Sequence, residues 1–176
     1  HAWNTTGVFA AVCTAINNDH SASATAMVHV TLPVTNYVSP GGGNVYPYDS
    51  WAKAALLIED AAEAAAVGGL VLVSNGVYTA PQGVVLWGKP LTVKSLAGWQ
   101  ETMLDGQNAR RAFIVLETDA IIDGFTIING YAADDIFSGG GAGVILYRRG
   151  IVRNCVFLNN QALNYGGGVV CVEGGR

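Results

Sequence analysis

The sequence predicts an all-β fold, a parallel β-helix or solenoid, preceded by a capping helix and a strand-like extension. The first observation is a repeat: AFIVLETDAIIDGFTIING, from Ala112 to Gly130, recurs thirty residues later as AGVILYRRGIVRNCVFLNN, from Ala142 to Asn160. A period of 20 to 50 residues indicates units that stack to bury one another's apolar faces. The second observation is that the apolar runs are short, rich in Val, Ile, Leu, Phe and Thr, and closed by Gly, Asn or charged residues, which is typical of strands.

Composition supports this fold class and limits the partners. Of the 176 residues, 51% are apolar, only 12% are charged and 23 are glycine. Because the usual charged fraction is about 25%, this surface is covered mainly by small and polar uncharged residues. A net charge of −4 without a basic stripe predicts no nucleic-acid partner. No apolar run reaches the length of about eighteen residues that a membrane span needs, so no transmembrane segment is predicted.

Residues 1–36 are predicted to form an N-terminal extension. Strand-like stretches at Gly7–Ile16 and Ala24–Val34 make it a possible inter-subunit donor strand. The chain starts at His1 without a methionine, so we expect removal of a secretory signal and a secreted, extracellular or cell-surface location. The sequon Asn4-Thr5-Thr6 makes Asn4 a possible glycosylation site.

The predicted β-helix domain covers residues 37–176 and begins with a capping helix over residues 50–67. Asp49 or Ser50 can cap its start, and Gly68-Gly69 can end it. An apolar stripe at helical spacing contains Trp51, Ala55, Ile58, Ala62 and Ala65. Such a helix would cover the exposed apolar end of the first coil and prevent edge-to-edge aggregation.

The repeat predicts the register of the stacked coils. It places four strand cores in one column, starting at Val84, Ile114, Val144 and Val169. The aligned identities are Ala112 with Ala142, Leu116 with Leu146, Ile121 with Ile151, and Asn129 with Asn159.

Two groups of residues resemble a known family. The run TNYVSPGGGNVYPYDSWAKAALLIEDAAEAAAVGGLVLVSNGVYT, Thr35 to Thr79, resembles the opening of secreted bacterial right-handed parallel β-helix proteins. Gly140-Gly141-Ala142 and Phe157-Leu158-Asn159-Asn160 match the GGA and FxxN repeats of the chlamydial polymorphic outer-membrane protein passenger domains. The resemblance covers residues 35–176 and implies a right-handed parallel β-helix. It also implies a function among adhesins, surface proteins and polysaccharide lyases.

The asparagines and cysteines of the repeat have structural interpretations. Asn129 and Asn159 occupy the same point in successive coils, which predicts a structural Asn ladder in which stacked amides hydrogen-bond along a turn. Cys155 aligns with Phe125 and Cys171 with Leu146, so both are predicted to replace core side chains as buried thiols. A disulfide between Cys155 and Cys171 is the alternative.

The acidic residues raise the question of catalysis. The register places Asp119 beside Arg149 and Asp123 beside Arg153, which predicts ion pairs between coils on a solvated face. The alternative is a polysaccharide-acting lyase or glycoside hydrolase, which would use carboxylates drawn from Asp105, Asp119, Asp123, Asp134 and Asp135. The sequence favours a non-enzymatic role and predicts no catalytic residue, no cofactor and no metal site.

One loop and one end remain as candidate contact sites. The loop Tyr131–Ser138, with Asp134, Asp135 and Phe137, is the best candidate for a ligand or partner such as a surface glycan. The chain stops at Arg176, which aligns with Ile151, so the last coil is expected to lack a cap. We therefore expect self-association as a head-to-tail homopolymer, in which the extension of one subunit completes the open end of the next. The alternative is a fragment of a longer β-helix.

Overall fold

The chain forms a β-solenoid of about three turns with one α-helix, in a computed structural model that describes residues 7–16, 19–30, 35–133 and 140–174. Strands account for 46% of the chain and helices for 7%, which confirms the predicted all-β solenoid. The chain divides into two compact units, His1–Pro33 and Val34–Arg176.

The first unit contains an antiparallel hairpin of two long strands, β1 (Gly7–Ile16) and β2 (Ser21–Val30). The pairing runs from Gly7 opposite Val30 to Ile16 opposite Ser21. Val, Ala and Thr dominate both strands, which suits extended backbone, and the Thr14 and Ser23 hydroxyls share a hydrogen bond of 2.7 Å across the pair. The predicted strand at Gly7–Ile16 is confirmed, whereas the second strand begins at Ser21 instead of Ala24, and residues 31–34 of that predicted stretch lie outside the described part of the chain.

In the second unit, each strand pairs in parallel with its equivalents one turn away, which gives three columns of strands. The first column contains β3 (Thr35–Val38), β4 (Leu70–Val73), β7 (Thr92–Ser95), β10 (Ile121–Asp123) and β14 (Ile151–Arg153). The second contains β5 (Gly76–Thr79), β8 (Thr102–Asp105), β11 (Thr126–Ile128) and β15 (Val156–Leu158). The third contains β6 (Val84–Trp87), β9 (Phe113–Leu116), β13 (Val144–Tyr147) and β17 (Val169–Val172). A short pair joins β12 (Tyr131–Ala132) to β16 (Gln161–Ala162).

The thirty-residue register holds in two columns and is wrong by one residue in the third. Ile121 pairs with Ile151, and Thr126 with Val156, as predicted. In the third column, however, Val144 pairs with Phe113 instead of Ile114, and Tyr147 pairs with Leu116. The predicted alignments of Ala112 with Ala142 and of Leu116 with Leu146 are therefore wrong by one residue. The cause is turn length, because residues 117–120 connect β9 to β10 whereas the shorter segment 148–150 connects β13 to β14.

The core consists of aliphatic side chains stacked in register between the columns of strands. Val71, Val93 and Ile122 occupy equivalent positions in β4, β7 and β10, and all three are fully buried. Phe113 and Phe125 meet inside the solenoid with ring centroids 5.9 Å apart in an edge-to-face arrangement. Burying one such aliphatic or aromatic side chain contributes about 1.5–3 kcal/mol, so the stacked coils stabilise one another.

The predicted helix over residues 50–67 is shorter than expected. A 3-10 turn spans Trp51–Lys53, and α1 spans only Ile58–Ala64. Between them the Ala55 N–H donates to the Tyr37 carbonyl at 2.9 Å, and Ala55 forms a parallel bridge with Val38. This backbone pairing with β3 requires an extended conformation and therefore delays the helix.

The short helix still covers apolar surface at the first coils. It packs against β3, β4 and β6 and buries Ile58, Ala61 and Ala62. Trp51 from the predicted stripe is instead 40% exposed, and its ring contacts that of Tyr37 at a centroid distance of 4.6 Å. The helix therefore shields this side of the core, although it contributes fewer residues than the sequence predicted.

Candidate functional site

The acidic and basic residues of the repeat form ion pairs between neighbouring coils. Arg153 donates from Nη2 and Nε to Asp123 Oδ2 at 2.9 and 3.1 Å, because β10 and β14 place the two residues side by side. Asn154 Nδ2 donates to the other carboxylate oxygen at 2.8 Å, and Lys94 occupies the equivalent position on β7. Arg149 Nη1 also lies 3.1 Å from Asp119 Oδ2, so both predicted pairings are confirmed. The predicted solvated location holds for Asp119 and Arg149 but is wrong for Asp123, which is nearly buried.

The environment of Asp123 favours its ionised form. Its side chain is only 8% exposed, and burial by itself would raise the pKa of the carboxyl group. Hydrogen bonds from Asn154 and Arg153, together with the charges of Arg153 and Lys94, outweigh burial and hold the pKa below its ordinary value. An acid in this state accepts hydrogen bonds and does not act as a proton donor near neutral pH.

A second ionic cluster links three coils and was missed by the sequence analysis. Arg148 donates to Glu117 at 2.8 Å on one side and to Glu173 at 2.9 Å on the other. The hydrogen bond from Arg148 lowers the pKa of Glu173. Glu117 meets Arg148 because the third column is offset by 31 residues, which the thirty-residue alignment could not show. The charged residues of the repeat therefore hold coils together.

The repeated asparagines occupy tight turns. Asn129 and Asn159 both have left-handed backbone, with φ angles of 51° and 54°, a conformation that Asn tolerates better than most residues. The Asn129 amide donates to Asp105 on the preceding coil at 3.1 Å. A direct ladder between the two amides remains a prediction.

The neighbouring Asn160 bridges two coils, and the sequence analysis did not single it out. Its side-chain oxygen accepts from the Gly130 N–H at 2.8 Å, and its amide nitrogen donates to the Ile127 carbonyl at 2.9 Å. The signal that could have identified it is its place at the end of the FxxN motif, beside the aligned asparagine.

The cysteines are free thiols, and only one of the two predicted core thiols is shielded. Cys155 packs against the core, accepts the Phe125 N–H at 3.4 Å and donates to the Arg153 carbonyl at 3.2 Å. Burial raises the pKa of the Cys155 thiol, so it reacts slowly. Cys171 does align with Leu146, as predicted, but it is exposed because no described coil covers β17. The Cys155–Cys171 disulfide is not formed in the structure.

Several predicted contact residues fall outside the described part of the chain. The loop residues Asp134, Asp135 and Phe137 and the sequon residue Asn4 lie there, so their predicted roles remain predictions. Within the described ranges, no three His, Cys, Asp or Glu side chains are grouped so that they could hold a metal ion. Among those same residues, no helix is long and apolar enough to cross a membrane.

The hairpin exposes an apolar face. Residues directly opposite each other in an antiparallel pair point to the same side, and side chains alternate along each strand. One face of the β1–β2 hairpin, which we name the alanine face, consists entirely of apolar residues: Phe9, Ala11, Cys13, Ala15, Ala22, Ala24, Ala26 and Val28. Five of these residues are exposed, and Phe9, Ala11 and Val28 are half-buried. The opposite face mixes apolar residues with Ser and Thr.

The last described coil exposes the ends of the core columns. The strands β14, β15 and β17 are the outermost strands of their columns. Val152 is half-buried although its neighbour Ile122 is fully buried, and Phe157 is half-buried although its neighbour Ile127 is fully buried. Cys171 shows the largest contrast, since its neighbour Leu146 is fully buried. This surface and the alanine face are both apolar surfaces that strands leave exposed.

No protein-family model, curated protein or solved structure matches the chain.

Proposed function

We propose that the chain is an extracellular structural or adhesive β-solenoid protein whose copies associate head to tail. In this proposal, the hairpin of one copy covers the last described coil of the next copy and adds a strand to it. Repetition of the same contact would produce a filament or surface appendage, because a heterologous interface does not close on itself. The secreted location, the right-handed coil and the kinship with polymorphic outer-membrane protein passengers form part of the proposal.

The alanine face is the observation that carries the proposal. A two-stranded hairpin is marginally stable on its own in water and needs a surface to pack against. Its Ala side chains would let another chain approach closely over ten residues of extended backbone. Val8, Val12 and Ile16, on the opposite side of β1, are 54%, 62% and 77% exposed, so both faces could be covered in a packed fibre.

We assign β17 of the neighbouring copy as the acceptor strand. It is the longest of the three outermost strands, with four residues against three in β14 and in β15. Its inward position at Cys171 continues a column that is fully buried at Leu146, one coil earlier. An added strand would satisfy the outer backbone groups of β17, while the small side chains of the alanine face would cover the open core.

The ionic clusters support a structural role over a catalytic one. The carboxylates of Asp119 and Asp123 accept hydrogen bonds from guanidinium groups on the next coil, and Arg148 joins two further carboxylates. A glycosidase needs one carboxyl group held protonated to serve as an acid, whereas the pKa of Asp123 is lowered. The charges on this face therefore suit cohesion between coils.

The experiment changes one face of the hairpin at a time. In the variant Ala24→Asp/Ala26→Asp, two carboxylates are placed on the alanine face, and we expect assemblies visible by negative-stain electron microscopy to disappear. The matched control, Ser23→Asp/Thr25→Asp, places the same charges on the other face of the same strand and should leave head-to-tail joining in place. Equal assembly by both variants would contradict the proposal, as would loss of assembly in the control alone.

A further inference from the structure

A groove beside α1 suggests a ligand site that is separate from the self-association surfaces. It has a volume of about 560 Å³ and lies between the helix and the segment 81–91, around β6. β6 is at the opposite end of its column from β17. The volume is within the range of small-molecule sites, about 300–1,000 Å³.

The groove combines an exposed aromatic ring with carboxylates. Trp87 is 70% exposed and Val85 is 49% exposed, so apolar surface faces the groove from β6. Glu59, Asp60 and Glu63 line it from the helix. Its one ammonium group, that of Lys89, is already used, since Nζ donates to the Glu63 and Ala65 carbonyls at 2.6 and 2.7 Å. The groove therefore has acidic side chains in excess.

Helix stability does not explain all of these acids. Glu59 and Asp60 are in the first turn of α1, where the helix dipole favours negative charge. Glu63 is near the other end, where the dipole disfavours negative charge, and it is exposed. Among the described residues, Glu59 Oε2 is buried without a hydrogen-bond partner. Burial, together with the neighbouring charge of Asp60, raises the pKa of Glu59. A donor group in the groove would relieve both the excess charge and the unpaired oxygen.

A second cavity shares the same acids. It has a volume of about 390 Å³ and is lined by Tyr46, Tyr48, Asp60, Glu63 and Ala64. Tyr46 is 73% exposed, so Asp60 and Glu63 have an exposed aromatic side chain in the cavity on either side. Two adjoining cavities, each with an exposed aromatic ring and with Asp60 and Glu63 in common, fit a ligand with repeating units better than a single small cation.

We propose that this surface binds a polymer of amino sugars, with sugar rings stacked on Trp87 and Tyr46 and protonated amino groups beside Asp60 and Glu63. Aromatic faces attract both the apolar faces of sugar rings and nearby cations, and carboxylates accept hydrogen bonds from ammonium and hydroxyl groups. This activity goes beyond the proposed self-association and does not depend on it.

The test compares two oligosaccharides that differ in charge. Titration calorimetry of the full chain with a glucosamine tetramer should show saturable binding, and the N-acetylglucosamine tetramer should bind about tenfold more weakly because it has no ammonium groups. Trp87→Ala and Glu63→Gln should each weaken glucosamine binding about tenfold. The matched controls, Trp99→Ala and Glu101→Gln, change exposed residues that line neither cavity and should stay within about twofold of the parent affinity.

Several results would overturn the proposal. They are an absence of saturable glucosamine binding, equal binding of the acetylated tetramer, and Trp87→Ala binding as tightly as the parent. Equal affinity for spermine would indicate a general cation site and would also refute the assignment to a saccharide. Circular dichroism of each variant confirms that the fold is retained, which is expected because Trp87 and Glu63 are exposed.

Discussion

Asp123 and Arg153 lie side by side on adjacent coils, and the Nη2 atom of the arginine is 2.9 Å from the carboxylate of the aspartate. The acid is nearly buried, whereas about half of the arginine side chain is exposed. The pair therefore joins the two coils through a nearly buried carboxylate, and removing either member should affect how the coils stack.

Asp123→Asn should destabilise the solenoid by about 1–3 kcal/mol near neutral pH, because charge-assisted hydrogen bonds to a nearly buried group are lost. The pKa of the folded Asp123 is lowered, so its stabilising contribution is complete above the ordinary Asp pKa and is lost as the pH falls through the folded value. Urea unfolding at several acidic pH values should therefore show a shallower loss of stability in the variant than in the parent. Asp119→Asn, which breaks an exposed pair, should change stability by less than about 1 kcal/mol. Equal losses of stability in Asp123→Asn and Asp119→Asn would contradict the expectation that the nearly buried pair contributes more than the exposed pair.

Gly130→Ala should destabilise the fold because two coils approach closely at this position. An added Cβ would meet the Ala142 carbonyl group and would lie 2.7 Å from Asn160 Oδ1. Overpacking of this kind costs about 1–3 kcal/mol. Gly41→Ala is the matched control, because an added Cβ there has open space around it. Thermal unfolding should show a lower midpoint for the first variant and an unchanged midpoint for the second; a parental midpoint for Gly130→Ala would refute the close approach.

Val93→Ala and Val152→Ala compare two positions in one core column. Val93 is fully buried between Val71 and Ile122, whereas Val152 is half-buried at the outermost strand. In dilute monomer we expect the Val93 variant to lose about 2–4 kcal/mol and the Val152 variant less than half of that. If a second copy covers the last coil, the two variants should differ less in their loss of stability in the assembled protein than in the monomer. Denaturation at low and at high protein concentration measures the free energy of unfolding of both variants. If the protein assembles but the difference between the two variants does not change with concentration, a second copy does not cover β14.

Disulfide trapping tests which strand accepts the hairpin. A chain with Cys171→Ser keeps Cys13 on the alanine face, and a chain with Cys13→Ser keeps Cys171 on β17. After the two are mixed with oxidised glutathione as electron acceptor, non-reducing gels should show a linked dimer. A link between Cys13 and Cys155 instead would refute β17 as the acceptor strand. If the unmodified protein forms a disulfide only within single chains and gives no linked dimer, the proposed contact between copies is refuted.

Much of the solenoid could be predicted because its information is local and repeated. The pairs Asp123–Arg153 and Asp119–Arg149 followed directly from a thirty-residue spacing. The same spacing was wrong in the third column, since identical residues at Leu116 and Leu146 favoured an alignment that ignored the different lengths of the two following turns. That one-residue shift concealed the contact between Glu117 and Arg148.

The other differences between the predicted and the observed structure arise from contacts between distant parts of the chain. The apolar stripe from Trp51 satisfies helical periodicity, but the backbone of Ala55 pairs with β3 instead. The groove could not be inferred from the repeat, because Trp87 and Glu63 are on unrelated elements that meet only in the folded chain. The alanine face was visible only after the hairpin register showed which residues share a side.

Sedimentation equilibrium of the purified chain over a wide range of concentrations shows whether copies join head to tail. If they do, the average mass should rise steadily with concentration above the 18.3 kDa of one chain, without a plateau at a closed oligomer. In the same experiment the Ala24→Asp/Ala26→Asp variant should remain at the mass of one chain. A parent protein that stays at 18.3 kDa at every concentration does not assemble head to tail.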